Sequence, residues 1–341
     1  SFYVKNGHAR NEKEEAGVKE YFFSHLPPNA YQQTGFYEKL YLYQSYCWYA
    51  FIRQDFLMYY RYTQKWVDLF YQQPQMIAVE TGHYIKGMHN LLNAHFDLRH
   101  YQGFECTLLQ FETFAGSQIS QQHDNFRVYT FVYLYIAKIN QHFMHGTFKE
   151  GLKLVPYIEE KLAQYALYLD RHRILVFNYK IATLYFGSGD YNTSIDYLQK
   201  IINDNVDLRY DLQCYARLVH LLAHYELGNF EIIDYLIKSV YRFMAKMENL
   251  TVVEEEIFKF LRHSFTVPKH KLQLELEKFL HKIKQLEKSR FETRSFAYLD
   301  IISWVESKVH HKTMSQVIAE KYKASRTRRY ALAQKEKETF L

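Results

Sequence analysis

The 341-residue chain is 48% hydrophobic and 23% charged, ample for a sizeable core and larger than one usual compact domain. Its formal charge of +6, spread over 43 basic and 37 acidic side chains, describes an ordinary solvated surface and argues against a nucleic-acid partner. No stretch approaches the roughly 18 apolar residues of a membrane helix, no secretory signal is visible, and Cys47, Cys106 and Cys214 lack ligand spacing, so the expectation is a cytoplasmic protein with reduced core thiols and no membrane association.

Only 12 Gly and 5 Pro punctuate the chain, and sustained apolar/polar alternation is absent. Long helices with short connections, an all-α fold, are therefore predicted. The 32 Tyr and 26 Phe suit the spaces between such helices, where rings bury area and hydroxyls reach water or a carbonyl. Residues 1–30 hold a lead-in and then a helix from about residue 10 to 25, with Val18, Tyr21 and Phe22 on one side. Pro27-Pro28 ends it, because proline cannot donate the helical bond and restricts the residue before it.

Residues 31–245 contain five pairs of helices whose apolar residues recur at three- and four-residue steps. Pair one places Leu40, Tyr43, Cys47, Ala50 and Phe51 inward, then Phe56, Tyr59, Trp66 and Leu69. Pair two has Tyr84, Met88, Leu91, Leu92 and His95, then Leu108, Phe111 and Phe114. Pair three has Val128, Phe131, Tyr135, Ile139 and His142, then Leu152, Val155, Ile158 and Leu162. Pair four, the clearest, has Ile174, Phe177, Ile181, Leu184 and Tyr185, then Tyr191, Ile195, Leu198, Ile201 and Ile202. Between its helices, Gly187 and Gly189 can take the positive φ that ends a helix, and Asp190 can cap the next. Pair five has Tyr215, Leu218, Leu222 and Tyr225, then Ile233, Leu236, Ile237, Val240 and Phe243.

An aromatic opens each second helix: Phe56, Tyr101, Phe148, Tyr191 and Phe230, spaced 39 to 47 residues apart. Such a period marks a repeat array, in which a hairpin buries its apolar stripe only against its neighbours. Residues 246–320 read as a C-terminal helical cap. Residues 321–341, with Arg326, Arg328, Arg329, Lys335 and Lys337, read as a basic helix fraying into a solvated tail.

The motifs Ile181-Ala182, Tyr185, Gly189-Asp190-Tyr191 and Ser194 resemble those of the tetratricopeptide repeat family. Tyr225 to Phe230 echoes them, as does Gly146-Thr147-Phe148 with Gly151. Pairs one and two keep the turn aromatic without the glycine, and every spacing exceeds the family's roughly 34 residues. The resemblance implies an α-solenoid of five to six antiparallel hairpins, a superhelix with C-terminal capping helices. It also implies that first helices line a concave groove, at Tyr41, Gln44, Trp48 and Phe51; Lys86, His89, Asn93 and Phe96; Tyr133, Asn140 and Phe143; Tyr179, Thr183 and Phe186; and Tyr225 with Glu226. Rings interleaved with amides suit an extended peptide.

Chemistry is sparse. His220 with His224 and His142 with His145 have spacings that can place two imidazoles on one face, but neither pair has a further ligand, so no metal is expected. No phosphate loop, nucleophile elbow or paired CxxC occurs, and Glu254 to Glu256 or Glu159-Glu160 read as helix-end charges. No cofactor and no catalysis are expected. The sequence points to a protein–protein scaffold or peptide-binding module, with self-association through exposed rings as a further option. The alternative is a nucleic-acid-associated, regulatory or sensory helical-repeat protein whose effector lies outside this chain, a reading suggested by a start at Ser1 without Met.

Overall fold

The computed structural model describes residues 8–32, 35–204 and 209–339, with the side chains of Tyr31, Arg290, Thr293, Arg294 and 328–339 outside the description. The side chains of Arg328, Arg329, Lys335 and Lys337 in the basic end therefore lie outside it. Among the described residues every regular element is helical. Helices pack against their neighbours in chain order, as in an α-solenoid, within two compact units: Ser1–Lys138 with Ser289–Arg294, and Ile139–Lys288 with Ser295–Leu341.

Unit 1 contains α1 (Glu12–His25), α2 (Phe36–Ile52), α3 (Phe56–Gln72), α4 (Thr81–Asp97), α5 (Tyr101–Ala115) and the start of α6 (Asp124–His145). Asn11 caps α1 by accepting the Glu14 amide at 2.9 Å, and three acids fill the first turn, both favourable at a positive helix end. α1 packs on α2, α2 on α3, α3 on α4 and α4 on α5. Their shared core includes Leu40, Cys47, Ala50, Trp66, Phe70, Met88, Leu92, Phe104 and Phe111, all buried. Phe51 is the exception among the predicted inward residues and is exposed.

Unit 2 continues with α7 (Phe148–Leu152), α8 (Val155–Gln164), α9 (Arg171–Ser188), α10 (Tyr191–Ile202), α11 (Tyr210–Glu226), α12 (Phe230–Lys246), α13 (Val252–Ser264), α14 (Lys269–Leu286), α15 (Ile301–Val309) and α16 (Met314–Thr339). The second helix of pair three is thus in two pieces, and Pro156 sits in the first turn of the second piece, where its missing amide costs nothing. The basic segment starts as part of the capping helix α16: Lys321 reaches Ser303 at 2.8 Å, and Tyr322 stacks on His145 at 4.1 Å.

The repeat is most regular at its turns. Two residues before each turn aromatic the backbone is left-handed: Gln54 at φ 57°, Arg99 at 52°, Gly146 at 71°, Gly189 at 90° and Gly228 at 73°. The following amide donates to the carbonyl five residues back, Asp55 to Ala50 at 2.9 Å, His100 to His95 at 2.8 Å, Thr147 to His142 at 3.1 Å, Asp190 to Tyr185 at 3.0 Å and Asn229 to His224 at 3.1 Å. This is the six-to-one bond of a Schellman closure, which satisfies a carbonyl that the helix leaves unpaired. Pairs one and two make it without glycine. Glu248 with Asn249, and His311 with Lys312, repeat it beyond the five pairs.

Two expectations change. Gly187 does not help to end α9; it lies inside that helix, where a Cβ would come 2.4 Å from the Phe148 ring. Cys106 is exposed, not a core thiol, whereas Cys47 and Cys214 are buried.

Candidate functional site

The predicted groove residues separate into two environments. In unit 1 they form a continuous row. Tyr41, Gln44 and Trp48 project from successive turns of α2, and Tyr41 and Trp48 are 54% and 57% exposed. The Gln44 amide meets His83 Nδ1 of α4 at 2.9 Å, and the Tyr41 ring lies edge-on to His83 at 6.1 Å. Further along α4, Lys86, His89 and Asn93 occupy one stripe. Asn93 Nδ2 is 3.1 Å from His89 Nε2. The His89 ring stacks on Tyr133 of α6 at 4.0 Å, and the Lys86 ammonium lies 5.2 Å from the centre of that ring.

Helical spacing explains the row: residues three or four apart share a face, so a stripe on α2, one on α4 and one on α6 meet edge to edge. Sequence reasoning missed His83, although it lies three residues before Lys86. Glu80 is 3.8 Å from His83 and bonds the Tyr37 hydroxyl, whose pKa it raises.

In unit 2 the corresponding residues are covered by the chain itself. Tyr179 is 4% exposed and donates its hydroxyl to the Tyr298 carbonyl at 3.1 Å; burial, then the nearby Tyr298, pushes its pKa well up. Thr183 is buried, with its hydroxyl on the Tyr179 carbonyl at 2.9 Å. Asn140 is 2% exposed and accepts Lys180 Nζ at 2.6 Å. Tyr225 lies 6.1 Å from the Trp304 ring, and Glu226 accepts Trp304 Nε1 at 2.6 Å. An open groove at pairs four and five is therefore replaced by a face already holding α15 and its lead-in. Sequence spacing gave no signal of this, since Tyr179 and Tyr298 are 119 residues apart.

Three turns carry a histidine latch. In three closures the side chain before the turn aromatic meets the imidazole five residues earlier: His100 with His95 at 3.0 Å, Thr147 with His142 at 2.8 Å, and Asn229 with His224 at 2.9 Å. Burial lowers the pKa of all three earlier histidines, His95 to about 4 with the help of His100. Among the described residues no group of three or more His, Cys, Asp or Glu could hold a metal ion. No described helix is long and apolar enough to cross a membrane. Comparison with protein-family models finds no match to the chain, and comparison with curated proteins finds none either.

Proposed function

We propose that the chain is a protein-interaction module of tetratricopeptide-like design, binding a segment of a partner protein across the row on α2, α4 and α6 of unit 1. The reading is of a binding scaffold rather than an enzyme, working in a cytoplasmic, reducing setting. The observation that carries it is the pair of large exposed rings, Trp48 and Tyr41, set beside amide and imidazole groups. Trp and Tyr carry a disproportionate share of interface energy, and exposed apolar area flanked by polar groups marks docking surfaces. Gln44 and Asn93 offer the donors and acceptors that an extended backbone needs.

The test is selection of a displayed random-peptide library on the immobilised full chain, followed by affinity measurement of enriched peptides. Trp48→Ala should weaken binding by about 1–3 kcal/mol, roughly 5- to 150-fold, with the fold retained by circular dichroism. Peptides that bind Trp48→Ala and Tyr41→Ala as well as wild type would move the site elsewhere. Self-association through these rings predicts a concentration-dependent sedimentation coefficient that the same substitutions abolish.

A further inference from the structure

Within unit 2, α9, α10, α11 and α12 pack directly on one another. In the segment from Ser295 to Lys308, α15 packs on α14 and α16, with Glu306 paired to Lys284 and Lys321, while Tyr298, Trp304 and Lys308 reach the side chains of α9 and α11. The segment begins with an aromatic anchor. The Tyr298 ring stacks on Tyr215 at 4.0 Å with 13° between planes, and meets Tyr179 edge-on at 6.0 Å. Its hydroxyl donates to Asp211, a carboxylate that Arg209 also holds at 2.8 Å.

Six residues on, Trp304 Nε1 donates to Glu226 at 2.6 Å, and one helical turn later the Lys308 ammonium reaches the other oxygen of the same carboxylate. Asp211 and Glu226 lie at opposite ends of α11, about 22 Å apart by helical rise. The face thus presents rings between two carboxylates, and the segment answers with a phenol, an indole and an ammonium. α15 carries its own cap: Asp300 accepts the Ser303 amide at 2.9 Å and the Ser303 hydroxyl at 2.7 Å. The helix-forming information lies in the segment itself.

We propose that this face of α9 and α11 is a segment-binding site for an aromatic, lysine-bearing helix, and that the chain's own residues 295–312 occupy it as a tethered ligand. A partner of the same chemistry then engages unit 2 only by exchange with that segment. The site is separate from the row in unit 1 and does not depend on it.

The experiment uses the full chain and a fluorescent synthetic peptide of residues 295–313. Two variants weaken the tethered copy, Tyr298→Phe with Lys308→Ala as the mild one and Tyr298→Ala with Trp304→Ala as the severe one. A tethered segment competes at an effective concentration near millimolar, so wild type should bind the peptide at least about tenfold more weakly than either variant. The peptide should also raise the melting temperature of the severe variant in a concentration-dependent way, a readout that works even where that variant is destabilised. A peptide lacking the tyrosine and tryptophan should do neither. Equal affinity for wild type and both variants, or no peptide-dependent rise in melting temperature, overturns the proposal and makes the segment an ordinary part of the core.

Discussion

Arg99 and Gln54 occupy left-handed positions that three other turns fill with glycine. For a residue with a Cβ, that conformation costs roughly 1–2 kcal/mol, while glycine adopts it freely but adds about 0.5–1 kcal/mol of unfolded-state entropy. Arg99→Gly also takes the exposed guanidinium from over the Phe96 ring, 5.9 Å from its centre, so it should stabilise unit 1 by at most about 1 kcal/mol. Gln54→Gly removes the same strain but also deletes a buried bond from Gln54 Nε2 to the Ala9 carbonyl at 2.9 Å. A buried acceptor left without its donor costs about 1–3 kcal/mol, so this substitution should be neutral or destabilising. The converse change, Gly189→Ala at φ 90°, should cost about 1–2 kcal/mol. Urea unfolding followed by far-ultraviolet circular dichroism measures all three, with near-equal m-values required for comparison. A loss of stability in Arg99→Gly, or a gain in Gln54→Gly as large as in Arg99→Gly, would refute the reasoning that closure strain and the Ala9 bond set these turns.

His95, buried beside His100 and held to a pKa of about 4, is charged more readily in the unfolded chain, where imidazoles titrate near 6.5. Its contribution is complete above about pH 6.5 and falls by about 3 kcal/mol as pH drops through 4; a His95 imidazole resonance titrating near 6.5 in the folded protein would exclude this. Glu254 is fully buried, and burial raises its pKa despite bonds from Ser295 and Thr251. Folding then favours the neutral acid, so the stability of Glu254→Gln relative to wild type should rise as pH increases from 4 to 7, and a constant difference would show that the carboxylate carries no such penalty. Gly187→Ala drives a methyl into the buried Phe148 ring and should cost about 1–3 kcal/mol, measured as a lowered melting midpoint; an unchanged midpoint would mean that the ring yields.

Much of the architecture follows from local sequence. Helix positions come from apolar periodicity, which acts within one helix, and turn positions from the aromatic that opens each second helix. Core residues such as Met88, Phe111, Ile181 and Leu198, all buried, were legible for that reason. Even turns without glycine kept the pattern, because the closure is a backbone bond that Gln54 and Arg99 can make at some cost in strain.

The candidate site was legible only in part. Tyr41, Gln44, Trp48, Lys86, His89, Asn93 and Tyr133 are groove positions that the family resemblance implies, and the structure brings them into one row. Tyr179, Thr183 and Tyr225 sit at equivalent steps, and nothing local distinguishes them. The surroundings of Tyr179 and Tyr225 depend on Tyr298 and Trp304, which approach only after the chain has returned across unit 2. Periodicity determines which side of a helix a residue faces; what covers that side is decided by contacts between distant segments, which no local spacing encodes.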